Sequence, residues 1–224
     1  MTRMRSWTLV LTLLAHVACD SVPDAAPALG EAAAAITSTP PLIDDFTSGL
    51  DSVSLQSGES TRLRSGDMLG GTREIFFAVD SGALEQPTSY TMNGAGGLVI
   101  SSGLSSYWGA YLIYGYDTNL DVGSLDLDLR PYDAVCLRFG SNDKPVSGGV
   151  QFYKEGASTT AYWYADASSG PFSVEIPYAD FDATSDPLPW EGVFLVVVLI
   201  QTGSANAGND LEVTSVSLGG CDPP

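Results

Sequence analysis

Val135-Cys136-Leu137-Arg138-Phe139 sets a large apolar side chain at every second position, the period of a β-strand with one face in a core and the other toward water. The same alternation returns on either side. Phe172, Val174 and Ile176 alternate with Ser173 and Glu175, and Leu125, Leu127 and Leu129 alternate with Asp126 and Asp128; each run predicts a half-buried antiparallel strand. Val193 to Ile200 is apolar on both faces, which predicts an interior strand covered from both sides, emerging at Gln201. Between these runs stand clusters of Gly, Ser, Asn and Asp, and no long helical period appears. Short strands separated by turn residues at this spacing predict an all-β chain with sheets packed face to face. Gly70-Gly71 allows a turn with positive φ before a strand from Arg73 to Val79, and Pro177 closes the strand that begins at Phe172. Arg73 is read as the partner of an acidic neighbour rather than as a ligand contact.

Upstream the composition changes. Arg3 and Arg5 precede an apolar run from Trp7 to Ala18, which Cys19 closes. That is the layout of an export signal. A helix of about 12 residues rises roughly 18 Å, short of the ~30 Å hydrocarbon core, so the run is read as a targeting segment and not as a span. Leu13-Leu14-Ala15-His16-Val17-Ala18-Cys19 resembles a bacterial lipobox, which implies cleavage before Cys19, lipidation of Cys19 and attachment to a membrane through that N-terminal lipid. The competing reading is ordinary secretion, with Cys19 a stray thiol. The expected organisation is therefore a signal peptide over 1–18, a lipidated Cys19 with a flexible Ala/Pro/Ser tether over 19–41, and one β-sandwich domain over 42–224. The expected address is the bacterial cell envelope, periplasmic or outer-surface.

Charge and composition exclude several activities. The chain carries 27 acidic and 9 basic residues, a formal charge of −18; cleavage at Cys19 removes Arg3, Arg5 and the sole histidine, His16, and takes the charge to −20. So acidic a surface repels phosphate backbones, which argues against nucleic acid as a partner. Without histidine the mature chain has no Ser-His-Asp or Cys-His nucleophile system and no imidazole for a transition metal. Three cysteines leave one unpaired in an exported protein unless Cys19 is acylated. Cys136 and Cys221 then either form a disulfide or remain two separate thiols.

Asp44-Asp45-Phe46, Asp67-Met68-Leu69-Gly70-Gly71-Thr72-Arg73, Leu127-Asp128-Leu129-Arg130-Pro131-Tyr132-Asp133-Ala134-Val135, Val174-Glu175-Ile176-Pro177-Tyr178-Ala179-Asp180-Phe181 and Leu211-Glu212-Val213 follow one another along nearly all of the chain after the tether. In that order they resemble the landmarks of the galactose-binding-like jelly roll, of the complex I intermediate-associated protein and carbohydrate-binding-module type. The resemblance implies a jelly-roll β-sandwich and either a saccharide-binding sheet face or an assembly role with an envelope protein. It also implies a structural calcium where the first and last strands meet, for which Asp44 or Asp45, Asp210 and Glu212 offer oxygen ligands. No other cofactor is expected.

Strand parity supplies the candidate ligand face. With Val150 and Phe152 inward, Gln151 and Tyr153 point outward; with Trp163 inward between Ala161 and Ala165, Tyr162 and Tyr164 point outward; Arg138 leaves its own strand on the outer side. Arg138, Gln151, Tyr153, Tyr162 and Tyr164 on one face would join aromatic platforms to planar hydrogen-bonding groups, a set suited to sugar rings. The plainer account is that tyrosines suit any half-buried sheet. Asp126 and Asp128, about 7 Å apart at i, i+2 on a strand, overlap the carboxylate separation of glycosidases, although alternation with leucines explains them more simply. The expected function is non-catalytic: an envelope lipoprotein binding polysaccharide, with a protein-interaction role as the alternative and glycoside cleavage the least favoured.

Overall fold

The computed structural model describes residues 41–221 except 82–85, 93, 120, 122–124 and 184–189. The expected signal peptide, Cys19 and the expected tether as far as residue 40 lie outside the described residues. In chain order the described strands are β1 (Leu42–Asp44), β2 (Asp51–Leu55), β3 (Gly58–Ser65), β4 (Thr72–Ser81), β5 (Thr88–Met92), β6 (Leu98–Ser101) and β7 (Ser106–Tyr114). There follow β8 (Ala134–Asn142), β9 (Val146–Lys154), β10 (Ala157–Ala165), β11 (Phe172–Pro177), β12 (Asp182–Ala183), β13 (Leu195–Gln201) and β14 (Leu211–Leu218).

These strands form two antiparallel sheets of seven, the β-sandwich that the alternating runs predict and the jelly roll that the resemblance implies. The first sheet runs β11-β8-β14-β6-β5-β2 with β1 added on β14; the second runs β12-β10-β9-β13-β7-β4-β3. Inward positions meet between them. Phe139 of β8 faces Trp163 of β10 at 5.6 Å between ring centres, and Phe77 of β4 meets Tyr90 of β5 edge-on at 5.1 Å. Each such side chain contributes about 1.5–3 kcal/mol on leaving water, which fixes the register of both sheets.

The Val193 to Ile200 run supplies β13, which lies between β9 and β7 as an interior strand. The Leu125 to Leu129 run does not become a strand. Leu125 and Leu129 are buried as alternation requires, but the segment makes one bridge, Leu127 to Val193, and then turns. Asp128 forces that turn: its Oδ1 accepts the Arg130 backbone N–H at 3.0 Å, and Pro131 follows.

Two early landmarks meet in the core. Gly70 and Gly71, with φ of 72° and 74°, turn the chain into β4 so that Arg73 points inward. Arg73 and Asp44 are both fully buried and form a hydrogen-bonded ion pair. The Arg73 guanidinium also donates to the Gly49 carbonyl at 2.8 Å and stands 5.5 Å from the Phe46 ring centre. Asp44 accepts the Tyr114 hydroxyl at 3.0 Å and the Phe46 N–H at 2.8 Å, so its charge is surrounded by donors. Burial and the adjacent carboxylate hold the Tyr114 hydroxyl well above the usual phenol range. Removing one member of such a pair strands a buried charge, typically at 3–5 kcal/mol.

Cys136 of β8 and Cys221, just beyond β14, are joined by a disulfide across 85 residues. The Cys221 N–H donates to Glu175 Oε2 at 2.7 Å, and the Gly219 N–H to the Ala134 carbonyl at 2.8 Å, so the end of the chain lies along the first sheet.

Candidate ligand-binding face

Register assembles the outward positions of the second sheet into rows. Tyr162, Gly149, Leu199, Tyr111 and Phe76 lie side by side across β10, β9, β13, β7 and β4. The neighbouring row is Thr160, Gln151, Val197, Ile113 and Glu74, and beyond it Tyr153 lies between Ser158 and Leu195. The face spans five strand steps from β10 to β3, about 24 Å at the usual strand spacing. Its centre is sheltered and its β10 rim is open: Val197 and Tyr111 keep 1% and 3% of their surface, Tyr162 and Tyr164 keep 73% and 60%.

Local features shape these groups. The Tyr162 ring lies over Gly149, where a Cβ would meet it at an ordinary contact distance of 3.4 Å and would come more tightly, 3.2 Å, to the Ala161 carbonyl. The Tyr153 hydroxyl donates to Gln151 Oε1 at 2.8 Å and orients the amide. The Tyr111 ring meets Phe76 edge-on at 5.7 Å. Burial, then the phenols of Tyr162 and Tyr111, push the Tyr153 hydroxyl up; burial, then Glu74 and Tyr153, push Tyr116 up. Both shifted phenols remain protonated donors at neutral pH. Burial also raises the Glu74 carboxyl. Rings with open faces, an oriented amide and protonated phenols can stack on the C–H faces of a sugar and bond its hydroxyls.

Gln151, Tyr153, Tyr162 and Tyr164 thus share one outer face, with Tyr164 bonded to Asp166 at 3.2 Å. Arg138 does not join them. It lies on β8 of the first sheet, beside Ser173 and Ser215, because the link from Asn142 to Val146 carries the chain across the sandwich instead of closing a hairpin. Tyr111, Phe76 and Glu74 complete the face without having been singled out. β7 is apolar or aromatic from Tyr107 to Tyr114 except at Gly109, so its parity is unreadable without its partners.

The calcium ligands are not brought together. β1 pairs with the C-terminal half of β14, Leu42 opposite Ser217, whereas Asp210 precedes β14 and Glu212 opens it beside β6. Asp45 instead accepts the N–H and hydroxyl of Thr47 at 3.0 and 2.6 Å, and these bonds lower its carboxyl pKa, the hydroxyl bond most. Asp210 accepts the Ser102 N–H at 2.8 Å and borders a polar cavity of about 500 Å³ shared with Asp143 and Ser168. Glu212 lies over Gly140, where a Cβ would come within 2.2 Å of its carboxylate. Among the described residues no group of three or more His, Cys, Asp or Glu could hold a metal ion. Asp128 is gripped by Arg130, Nε and Nη2 each 2.9 Å from a carboxylate oxygen. Those bonds lower its carboxyl pKa, the opposite of what a general acid needs.

No family model and no curated protein matches the chain. Among solved structures, it is similar to the family 11 carbohydrate-binding module of the cellulosomal cellulase Lic26A-Cel5E of Clostridium thermocellum, at 14% identity and TM-score 0.39, covering 83% of this chain and 97% of that one. A structure of the Clostridium thermocellum family 11 module in complex with a β-1,3-1,4-mixed-linked tetrasaccharide overlaps at 14% identity and TM-score 0.37, over 82% and 97%. The family 29 module CBM29_1 of Piromyces equi overlaps at 12% identity and TM-score 0.35, over 76% and 92%. Overlaps this loose carry no argument about function.

Proposed function

We propose that this protein is a non-catalytic saccharide-binding β-sandwich of the cell envelope, tethered by lipid on Cys19 and binding polysaccharide across the outer face of its second sheet. One observation carries the reading: an exposed Tyr162 ring inclined over Gly149, in register with Tyr111 and next to the Tyr153–Gln151 pair. Aromatic rings kept open at a rim, above a floor sheltered from water, match what stacking on sugar rings requires. The signal layout and lipobox resemblance support the address. The carboxylates at Asp126 and Asp128 support no hydrolytic role, since the second is neutralised by Arg130 and the first stands exposed without a strand to pair it.

The test is retention in gels containing a panel of polysaccharides. Tyr162→Ala with Tyr153→Ala should abolish retention on the responsive polymer while the protein keeps its melting temperature. Absence of retention on every polymer, with a specific envelope protein co-purifying, would replace this reading by the assembly role. For the address, Cys19→Ala should release the protein from membranes, and a mass spectrum showing an unacylated N-terminus would refute the tether.

A further inference from the structure

The outward face of the second sheet carries one sign of charge. Glu59 and Glu74 lie in its β3 and β4 rows, and Asp80 stands at the rim, where it accepts the Tyr107 hydroxyl at 2.6 Å. No Lys or Arg occupies an outward position on β10, β9, β13, β7, β4 or β3. The cations are placed elsewhere. Arg64 points from β3 to Asp51 on the first sheet at 2.7 Å, Arg73 is buried on Asp44, Arg130 pairs with Asp128 and Glu191, Arg138 lies on the first sheet, and Lys144 bonds the Ala207 carbonyl. Arg62 and Lys154 stand one residue out of step with the outward Leu63 and Tyr153.

Glu74 is the informative member. It lies in the row of Gln151 and Val197, between Ile113 of β7 and Leu63 of β3, with no cation facing it from either strand, and its half-burial raises its pKa. A carboxylate so placed repels uronate or sulfate groups and gains from an ammonium, which the neighbouring tyrosine faces also attract. We infer that this face takes a glycan bearing free amino groups, of the glucosamine-polymer class, with Glu74 as the counter-charge and Tyr162 and Tyr153 as platforms. This rests on the saccharide reading above. A basic peptide fits less well, because peptides dock on strand edges or in helix-sized grooves, while the aromatic rows here cross the middle of a sheet.

The test is calorimetry on the full-length protein in detergent, at mildly acidic pH, with four tetrasaccharides: glucosamine, N-acetylglucosamine, glucose and galacturonate. The glucosamine form should bind about tenfold more tightly than the acetylated form. Glu74→Gln should reduce that ratio to about one, and raising the salt concentration on the wild-type protein should narrow the same ratio. Equal affinity for the amine and acetylated forms, or tight binding of galacturonate, would overturn this inference while leaving the saccharide reading intact. Silence from all four sugars would overturn this inference and leave the saccharide reading to the polymer panel, and a lysine-rich peptide competing independently of Tyr162→Ala would reassign the charge to a protein partner.

Discussion

The two outer faces of the sandwich are built from the same strand alternation and are put to different ends. On the first sheet, Ser52, Thr91, Val99 and Glu212 form one row, and Ser54, Ser89 and Ser101 another. Glu175, Cys136 and Ser217 form a third, where the disulfide to Cys221 crosses the surface. None of these outward positions is aromatic. On the second sheet, the matching rows hold Tyr162, Tyr153, Tyr111 and Phe76. Hydroxyls and a covalent staple make a face that holds the chain end in place; the other carries the rings on which the proposed saccharide binding rests. A β-sandwich needs only its inner faces to fold, so either outer face is free to be given to function, and here the division is clean.

Removing the staple should have the largest effect. Cys136→Ser with Cys221→Ser forfeits up to about 4.6 kcal/mol in the loop-entropy account of an 85-residue separation, roughly a 10–18 °C fall in Tm. Below that melt, affinity for polysaccharide should be unchanged; a parallel loss of binding would mean the faces are not separable. Next comes Tyr162→Ala with Tyr153→Ala, which should weaken binding by at least about tenfold with little change in Tm. Ser54→Ala with Ser89→Ala on the opposite face should leave affinity where it was. A smaller effect is expected for Gly149→Ala, whose Cβ would come 3.2 Å from the Ala161 carbonyl beside Tyr162 and shift that strand slightly: a weakening of about threefold, read by titration.

The smallest effect concerns pH. Burial raises the folded-state pKa of Glu74 above its unfolded value, so its ionisation opposes folding once the pH passes the unfolded pKa, and the penalty is complete above the folded one. Glu74→Gln should therefore melt slightly above wild type at pH 7, and the gap should close on acidification toward pH 4. A gap that widens in acid would mean that Glu74 stabilises the face.

Much of this was legible in the chain because strand parity is a local property. The outward setting of Gln151, Tyr153, Tyr162 and Tyr164, and the inward setting of Leu137 and Phe139, follow from their neighbours in sequence. Sheet membership is not local. Arg138 and Gln151 stand on consecutive strands and on opposite sheets, and nothing within either strand records that the Asn142 to Val146 link crosses the sandwich. Alternation also does not guarantee a partner: Leu125 to Leu129 buries its first and last leucines while making a single bridge. Glu74, Phe76 and Tyr111 stayed hidden because β4 and β7 put large side chains on both faces, so their outward half appears only once β13 and β7 are aligned.

The buried clasp of Asp44, Arg73 and Tyr114 has a mechanical meaning. Any pull arriving through residues before Pro41 meets β1 first, a strand of three residues held on β14, with the Leu218 N–H donating to the Pro41 carbonyl at 3.1 Å. Sheet hydrogen bonds alone would let so short a strand peel away one bond at a time. Asp44 prevents that, because withdrawing it drags a carboxylate away from a guanidinium and a phenol in a dry interior. Peeling β1 from its neighbour therefore requires parting a buried ion pair in addition to a few sheet bonds.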